Sequence, residues 1–207
     1  MSDFTYQKSV SGKLETYEWD NVWWEQTSVT DIPRVLYIGD SISCGIRRIC
    51  TEKADGKFLF DGFGTSKAVD NPYFCETLKI FAMQQGKRKA VLFNNGLHGW
   101  HLSDEEYEKN MRKIIGFIDY EIPSYKTIIV LTTAVTDTAR NEVVIRRNKI
   151  AEKIAEDLSL PIIDLNKYSV EYSEHHCSDG VHFDETGCNL LATALVNEFE
   201  KIMVGNE

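Results

Sequence analysis

A serine near the start of the chain and an aspartate–histidine pair near its end could together perform acyl transfer. Ser41 follows the apolar run 34–38, and Asp179 precedes His182 by three residues. An aspartate can fix the tautomer of an imidazole, whose other ring nitrogen then takes the proton of a serine hydroxyl. These residue types predict a nucleophile, an orienting acid and a general base, provided that the fold brings them together.

The position of Ser41 along the chain suits a nucleophile. The run Arg34-Val35-Leu36-Tyr37-Ile38 is short and rich in β-formers, and it is bounded by Pro33 and Gly39, as expected of a buried parallel strand. Ser41 then lies where a strand ends and a helix can begin. The free N–H groups of a first helical turn can bind an oxyanion, and Asp40 is expected to cap or brace this turn.

The two motifs resemble those of a known family when they are taken together. Gly39-Asp40-Ser41-Ile42-Ser43 at the start and Asp179-Gly180-Val181-His182 at the end are similar to the SGNH, or GDSL-like, hydrolase family of esterases and lipases. The resemblance covers residues 34 to 207. It implies that Ser41, Asp179 and His182 form a catalytic triad, and that neither a cofactor nor a metal is needed.

The third block of that family contains an Asn whose side chain donates a hydrogen bond to the oxyanion. Here Asn94-Asn95-Gly96-Leu97-His98-Gly99 follows the apolar run 90–93, and His98 stands where the Asn is expected. A GLH version resembles one branch of the family, and an imidazole N–H can also donate. We expect His98 to be the donor, with Asn95 as the alternative. A loop histidine that braces an acid or a carbonyl is the competing interpretation of His98.

The second block of the family is a glycine whose backbone N–H completes the oxyanion hole. It should follow the second strand, which the pattern places around residues 57–61. Gly62 and Gly64 both qualify, and Gly64 is preferred because Gly64-Thr65-Ser66 is typical of a turn. The predicted oxyanion hole therefore consists of the N–H groups of Ser41 and Gly64 and the side chain of His98.

Strand and helix patterns alternate along the chain, which predicts a parallel sheet covered on both faces. With the resemblance, this indicates an α/β fold, a flavodoxin-like three-layer α/β/α sandwich with a central five-stranded parallel sheet. Residues 32–207 form one catalytic domain, and residues 1–31 form an N-terminal arm. The predicted strands cover 34–38, 57–60, 90–94, 127–132 and 161–165, and the predicted helices cover 72–85, 103–120, 141–158 and 185–203.

The N-terminal arm contains three tryptophans, Trp19, Trp23 and Trp24. Large aromatic side chains usually serve packing, here on the domain itself or on a second subunit, so a homo-oligomer formed through the arm is one expectation. A sugar-stacking platform is the alternative. Trp100, which stands between two histidines, is a better-placed candidate for a substrate-binding wall of the pocket.

Composition narrows the classes of partner and compartment. The formal net charge is −9, and the longest basic run is 86–89, expected to be a solvated helix end, so neither nucleic acid nor an anionic membrane is expected as a partner. The start of the chain lacks a basic leader with an apolar core, and the five cysteines show no CxxC spacing. These features favour a reducing, cytoplasmic location.

The histidines at 175 and 176 raise the alternative of a metal site, but the spacing is poor for one, since neighbouring side chains project in different directions. No metal is therefore expected. Among the substrates that the resemblance to the family implies, short acyl groups are expected, above all acetyl on a small-molecule or oligosaccharide ester, because no long apolar lid segment is evident. A lysophospholipase or acyl-thioesterase of the same fold and a non-catalytic carbohydrate-binding module stay open as alternatives.

Overall fold

The computed structural model describes residues 14–15, 17–86, 88–124 and 126–204. The first 13 residues of the predicted arm lie outside the described residues. The described strands are β1 (Asp20–Trp23), β2 (Arg34–Gly39), β3 (Leu59–Thr65), β4 (Ala90–Phe93), β5 (Thr127–Val130) and β6 (Ile162–Ile163). The described helices are α1 (Ser41–Lys53), α2 (Phe74–Ala82), α3 (Asp104–Glu121), α4 (Thr138–Leu158), α5 (Leu165–Glu171) and α6 (Glu185–Val204).

The strands form one sheet in the order β1-β3-β2-β4-β5-β6. Strands β2 to β6 are parallel, which confirms the predicted parallel sheet and its flavodoxin-like strand order. The predicted count of five is corrected to six, because β1 adds an antiparallel strand at the free edge of β3. Strand β1 is short and exposed, so its pairing depends on that edge and not on a strand pattern of its own.

The sheet separates two apolar layers, as a three-layer sandwich requires. Val35 and Tyr37 of β2 face the layer of α1 and α6, whereas Leu36 and Ile38 face the layer of α2 and α3. All four side chains are almost completely buried. The near-continuous apolar run of β2 thus follows from burial on both faces, the situation typical of parallel sheets.

The connections define where a ligand can bind. The chain passes from β2 through α1 to β3 on one side of β2, and then from β3 through α2 to β4 on the other side. The crevice outside the carboxyl ends of β2 and β4 is therefore the point where the winding direction reverses, which is the usual ligand site of such sheets. Ser41 begins α1 directly after β2, and residues 94–103 follow β4.

Several element bounds differ from the prediction. Strand β3 continues to Thr65, so Gly62 and Gly64 lie within a strand and not in a turn. Helix α4 begins at Thr138, before the predicted 141, because the side chain of Asp137 accepts a hydrogen bond from Arg140 N and caps the helix there. Helix α5 was not predicted, since the apolar residues that begin it were assigned to the strand 161–165.

The prediction that the basic run 86–89 is a solvated helix end is wrong at Arg88, which is fully buried. Its Nη2 donates to Ala82 O at 2.7 Å, and its guanidinium lies 5.5 Å from the ring centre of Trp24. Burial lowers the pKa of Arg88 to about 10. The arm that carries Trp24 covers this residue, and Lys87 lies outside the described residues.

Two general properties of the described residues bear on the composition argument. The five cysteines, all of them described, are free thiols. None of the described helices is long and apolar enough to cross a membrane.

Candidate active site

Ser41 is the first residue of α1, immediately after the buried end of β2. The Asp40 side chain accepts a hydrogen bond from Ile42 N at 2.9 Å, so Asp40 caps the helix, as the sequence indicates. Asp40 is 1% exposed. As the first helical residue, Ser41 has a backbone N–H without an intrahelical acceptor, and that N–H lies beside its own hydroxyl.

A tight loop before α6 carries Asp179 and His182. His176 and Phe183 pair across its base, and Cys177 N donates to His182 O at 2.7 Å. The loop turns at Gly180, whose φ of +69° lies in the region that favours glycine. Thr136 N donates to Gly180 O at 2.9 Å, which fixes the loop against the residues that follow β5.

A continuous hydrogen-bonded chain joins the three predicted triad residues. Asp179 Oδ2 lies 2.6 Å from His182 Nδ1, and His182 Nε2 lies 2.8 Å from Ser41 Oγ. Because a carboxylate only accepts, Nδ1 carries the hydrogen and Nε2 is left to accept the hydroxyl hydrogen of Ser41. The fold therefore brings together the three residues in the geometry that a nucleophile, a base and an orienting acid require.

The electrostatics of Asp179 favour its ionised form. A hydrogen bond from the His182 side chain, and further ones from the N–H groups of Val181 and His182, hold its pKa well below the usual range of an aspartate. The side chains of His182 and Asp179 are 47% and 50% exposed. The pair is thus open to an incoming substrate.

Arg147 of α4 holds the loop that contains His98. Its guanidinium donates to the carbonyl oxygens of Gly96, His98 and Gly99 at 2.9, 2.7 and 2.6 Å. The residue is 1% exposed, and burial lowers its pKa. Sequence reasoning missed Arg147, although it lies three residues after the buried Val144 on the same helix face, and a charged residue at such a position is a recognisable signal.

His98 lies between the core of the site and the N-terminal arm. Its Nδ1 is 3.5 Å from Glu15 Oε1, whereas its Nε2 is buried and has no hydrogen-bond partner among the described residues. Burial raises the pKa of the Asp40 carboxyl, and the His98 and His182 imidazoles oppose this shift. The hydrogen-bonding capacity of the buried His98 Nε2 is not used within the described residues.

Asn95, the alternative donor, is engaged elsewhere. Its Nδ2 donates to Lys67 O at 2.8 Å, and the residue is 1% exposed. The Nδ2 of the neighbouring Asn94 donates to Val130 O and Thr132 Oγ1. Both amides thus tie the loop to the sheet.

Gly64 does not lie in the turn that the sequence predicts for an oxyanion-hole donor. Along β3, Leu59 N donates to Pro33 O beside β2, and Ser66 N donates to Trp19 O on the β1 side. Since the backbone groups of a strand alternate in direction, the N–H of Gly64 faces β1 and points away from Ser41. The residue must still be small, because a Cβ built on it would overlap Cys44 Sγ and lie 3.4 Å from Asp40 O.

The tryptophans of the arm pack on this same chain. Trp24 stacks on Phe81, with ring centres 4.0 Å apart, and Trp19 meets His98 edge-on at 6.3 Å. Trp23 is 37% exposed and lies under the guanidinium of Arg48. Packing on the domain accounts for Trp24, and Trp19 reaches the loop of the site.

Trp100 lies at the side of this loop and is partly buried. The guanidinium carbons of Arg140 and Arg147 lie 5.6 and 5.3 Å from its ring centre. These cation–π contacts hold the indole in place. Its predicted role as a substrate-binding wall stays a prediction.

The histidines considered for a metal make other contacts. His175 Nδ1 lies 3.2 Å from Asp184 Oδ2, and the two ring nitrogens of His176 face the carbonyls of Ser173 and Ala134. Within the described part of the chain, no three His, Cys, Asp or Glu side chains are grouped so that they could hold a metal ion.

Comparison with known proteins finds similar folds among solved structures. No family model and no curated protein matches the sequence. A member of the lipolytic G-D-S-L family from Veillonella parvula aligns at 18% identity and a TM-score of 0.68, covering 81% of this chain and 98% of that one. A lipase/acylhydrolase from Enterococcus faecalis aligns at 18% identity and a TM-score of 0.67, covering 83% and 97%.

A catalytic mutant of an acetylxylan esterase from Geobacillus stearothermophilus aligns at 15% identity and a TM-score of 0.65, covering 82% of this chain and 95% of that one. At these identities the similarity concerns the fold. The alignments span most of both chains, and the parallel sheet with helices on both faces is common to them. This chain has the three-layer α/β/α fold of the GDSL/SGNH-like hydrolases.

Proposed function

We propose that this protein is a serine esterase that hydrolyses short-chain acyl esters, in particular acetyl esters of carbohydrates, through an acyl-enzyme. The observation that carries the proposal is the hydrogen-bonded chain from Asp179 through His182 to Ser41 at the carboxyl edge of the sheet. A buried network for stability alone would not leave the acid and the base half exposed to solvent.

In the first half of the reaction, Ser41 Oγ attacks the ester carbonyl while His182 Nε2 takes the hydroxyl proton. The carbonyl oxygen becomes an oxyanion beside the N-terminus of α1. The free N–H of Ser41 donates to it, and His98 donates from Nε2. His182 then gives its proton to the leaving alcohol, and the acyl group stays on Ser41.

In the second half, water replaces the alcohol. His182 takes a proton from the water while the water oxygen attacks the acyl carbonyl. The tetrahedral intermediate that forms has its oxyanion in the same position as before. Collapse of this intermediate returns the proton to Ser41 and releases the acid. Asp179 stabilises the imidazolium that forms in both halves, and its lowered pKa keeps it ionised while it does so.

The choice of substrate rests on three features. The base and the acid are half exposed, which suits a bulky leaving group such as a sugar that reaches the serine from solvent. One of the aligned structures is an acetylxylan esterase. Trp100, whose indole is held by two arginines, is the candidate wall for the apolar side of a pyranose.

The test is hydrolysis of p-nitrophenyl esters from acetyl to palmitoyl by the full chain, followed by acetylated xylo-oligosaccharides. We expect the highest kcat/KM on acetyl and a steep fall with chain length. A maximum at long acyl chains would favour a lysophospholipase or acyl-thioesterase instead.

Matched variants separate catalysis from background hydrolysis. Ser41→Ala should abolish turnover, and Ser28→Ala, which changes an exposed serine, should not. EDTA should leave the rate unchanged. Absence of any activity that depends on Ser41 would contradict the esterase proposal and favour a binding module.

A further inference from the structure

The N-terminal arm is fastened to the end of β3 close to the proposed site. Trp19 N donates to Ser66 Oγ at 2.8 Å, and Ser66 N donates back to Trp19 O at 3.1 Å. The Asp20 carboxylate accepts a hydrogen bond from Lys67 Nζ at 2.7 Å, and the lysine side chain is 10% exposed. These contacts are largely shielded from water, so the segment that precedes β1 has a fixed starting point.

From that point the arm places one carboxylate on the His98 loop. Glu15 Oε1 accepts a hydrogen bond from Gly99 N at 3.0 Å and lies 3.5 Å from His98 Nδ1. Glu15 N donates to Glu18 Oε1 at 3.1 Å, and Glu18 Oε2 accepts from Ser66 Oγ. Hydrogen bonds within the arm and to Ser66 therefore position the residue that carries the Glu15 carboxylate.

Glu15 and Arg147 hold the His98 loop through opposite kinds of backbone group. Arg147 binds the carbonyl oxygens of His98 and Gly99, whereas Glu15 binds the N–H of Gly99 and faces the ring of His98. Arg147 fixes the backbone but does not touch the imidazole nitrogens. The ring itself contacts Glu15 at Nδ1 and Trp19, edge to face.

We propose that Glu15 is a positioning residue for the oxyanion hole: its carboxylate, 3.5 Å from His98 Nδ1, attracts that edge of the ring and thereby directs Nε2 toward the oxyanion. The inference rests on the proposed function of His98. A ring that carries hydrogens on both nitrogens can donate to the Glu15 carboxylate from Nδ1 and to the oxyanion from Nε2. The N-terminal arm is in this way a part of the active site.

A double-mutant cycle between Glu15 and His98 tests the proposal on the full chain. Glu15→Ala, Glu15→Gln and Tyr17→Ala are made with His98 and with His98→Asn, and kcat and KM are measured on p-nitrophenyl acetate. Tyr17 is the matched control, because it lies in the same segment and is 81% exposed.

We expect Glu15→Ala to lower kcat by about tenfold with KM within about twofold, a smaller loss than removal of the donor itself. Glu15→Gln should restore part of the rate, since its amide oxygen still accepts. In the His98→Asn background, Glu15→Ala should change kcat by less than about twofold. Equal losses in both backgrounds, or no loss with His98 present, would overturn the proposal.

A second readout does not depend on turnover. The Cε1–H resonance of His98, assigned with the His98→Asn variant, should shift in Glu15→Ala and stay in place in Tyr17→Ala. If the wild type has no esterase activity that depends on Ser41 but the resonance shifts, the proposed function fails while the positioning of His98 by Glu15 stands. An unchanged resonance overturns the positioning role whatever the activity.

Discussion

His182 Nε2 lies 2.8 Å from Ser41 Oγ, although 141 residues separate the two along the chain. Each residue stands next to the first turn of a helix, Ser41 in α1 and His182 just before α6. These two helices pack against each other on the same face of the sheet. The contact between the proposed base and nucleophile is therefore fixed by the packing of α1 on α6.

Substitution of Ser41 and substitution of His182 should lower kcat by a similar factor. We expect Ser41→Ala, His182→Ala and the double variant to lose kcat by a similar factor, about 10⁴ or more, because triad members act as a unit. His175→Ala is the matched control, since it changes an imidazole near the same loop. Steady-state kinetics on p-nitrophenyl acetate measures all four, and additive losses in the double variant would contradict the triad.

Substitutions at two residues, His98 and Asn95, can decide which of them is the donor in the third block. His98→Ala should lower kcat by ~10²-fold or more with little change in KM, and His98→Asn should restore part of it, because the donor acts mainly on the transition state. Asn95→Ala should instead lower the melting temperature, since it removes the hydrogen bond to Lys67 O. The reverse pattern would make Asn95 the donor.

Arg147 should contribute more to the free energy of unfolding than its half-exposed neighbour Arg146. Arg147→Met leaves three carbonyl oxygens without their donor, and we expect it to lower the free energy of unfolding by about 3 kcal/mol or more. Arg146→Met removes a half-exposed ion pair with Asp104 and should cost less than about 1 kcal/mol. Urea denaturation measures both, and similar values for the two would refute the role of Arg147.

Gly180 should not tolerate a side chain. Its φ is +69°, and a Cβ built there would overlap Thr136 Oγ1. Gly180→Ala is expected to cost about 1–2 kcal/mol from the backbone alone and to lower kcat by displacing the loop of Asp179 and His182. Gly116→Ala is the control, because that glycine lies in α3 with open space around its Cα, and alanine should slightly stabilise the helix.

The lowered pKa of Asp179 predicts how stability depends on pH. Because the folded-state pKa lies below the unfolded value of about 3.9, the ionised carboxylate stabilises the fold above that pH. This contribution is lost as the pH falls from there toward the folded-state pKa. The melting temperature of the wild type should exceed that of Asp179→Asn at pH 7, and the difference should shrink below about pH 4. A difference that grows in acid would contradict this sign.

The sequence by itself determined the elements and the chemistry that lie close together along the chain. The apolar run before Ser41, the capping residue Asp40 and the spacing of Asp179 and His182 are local features, and local propensities and caps decide such features. The capping box at the start of α3, in which the Ser103 side chain accepts from Glu106 N, is a local feature of the same kind. The alternation of strands and helices likewise predicted the parallel sheet.

Only the tertiary structure decided which groups meet across the sheet. The direction of the Gly64 N–H depends on the register of β3 with β1, and no pattern within either segment specifies that register. Glu15 reaches His98 because β1 takes the free edge of β3, and Arg147 reaches the same loop because α4 packs beside it. Such contacts arise from long-range packing and buried hydrogen bonding, whose partners are distant in sequence, so the chain order alone could not indicate them.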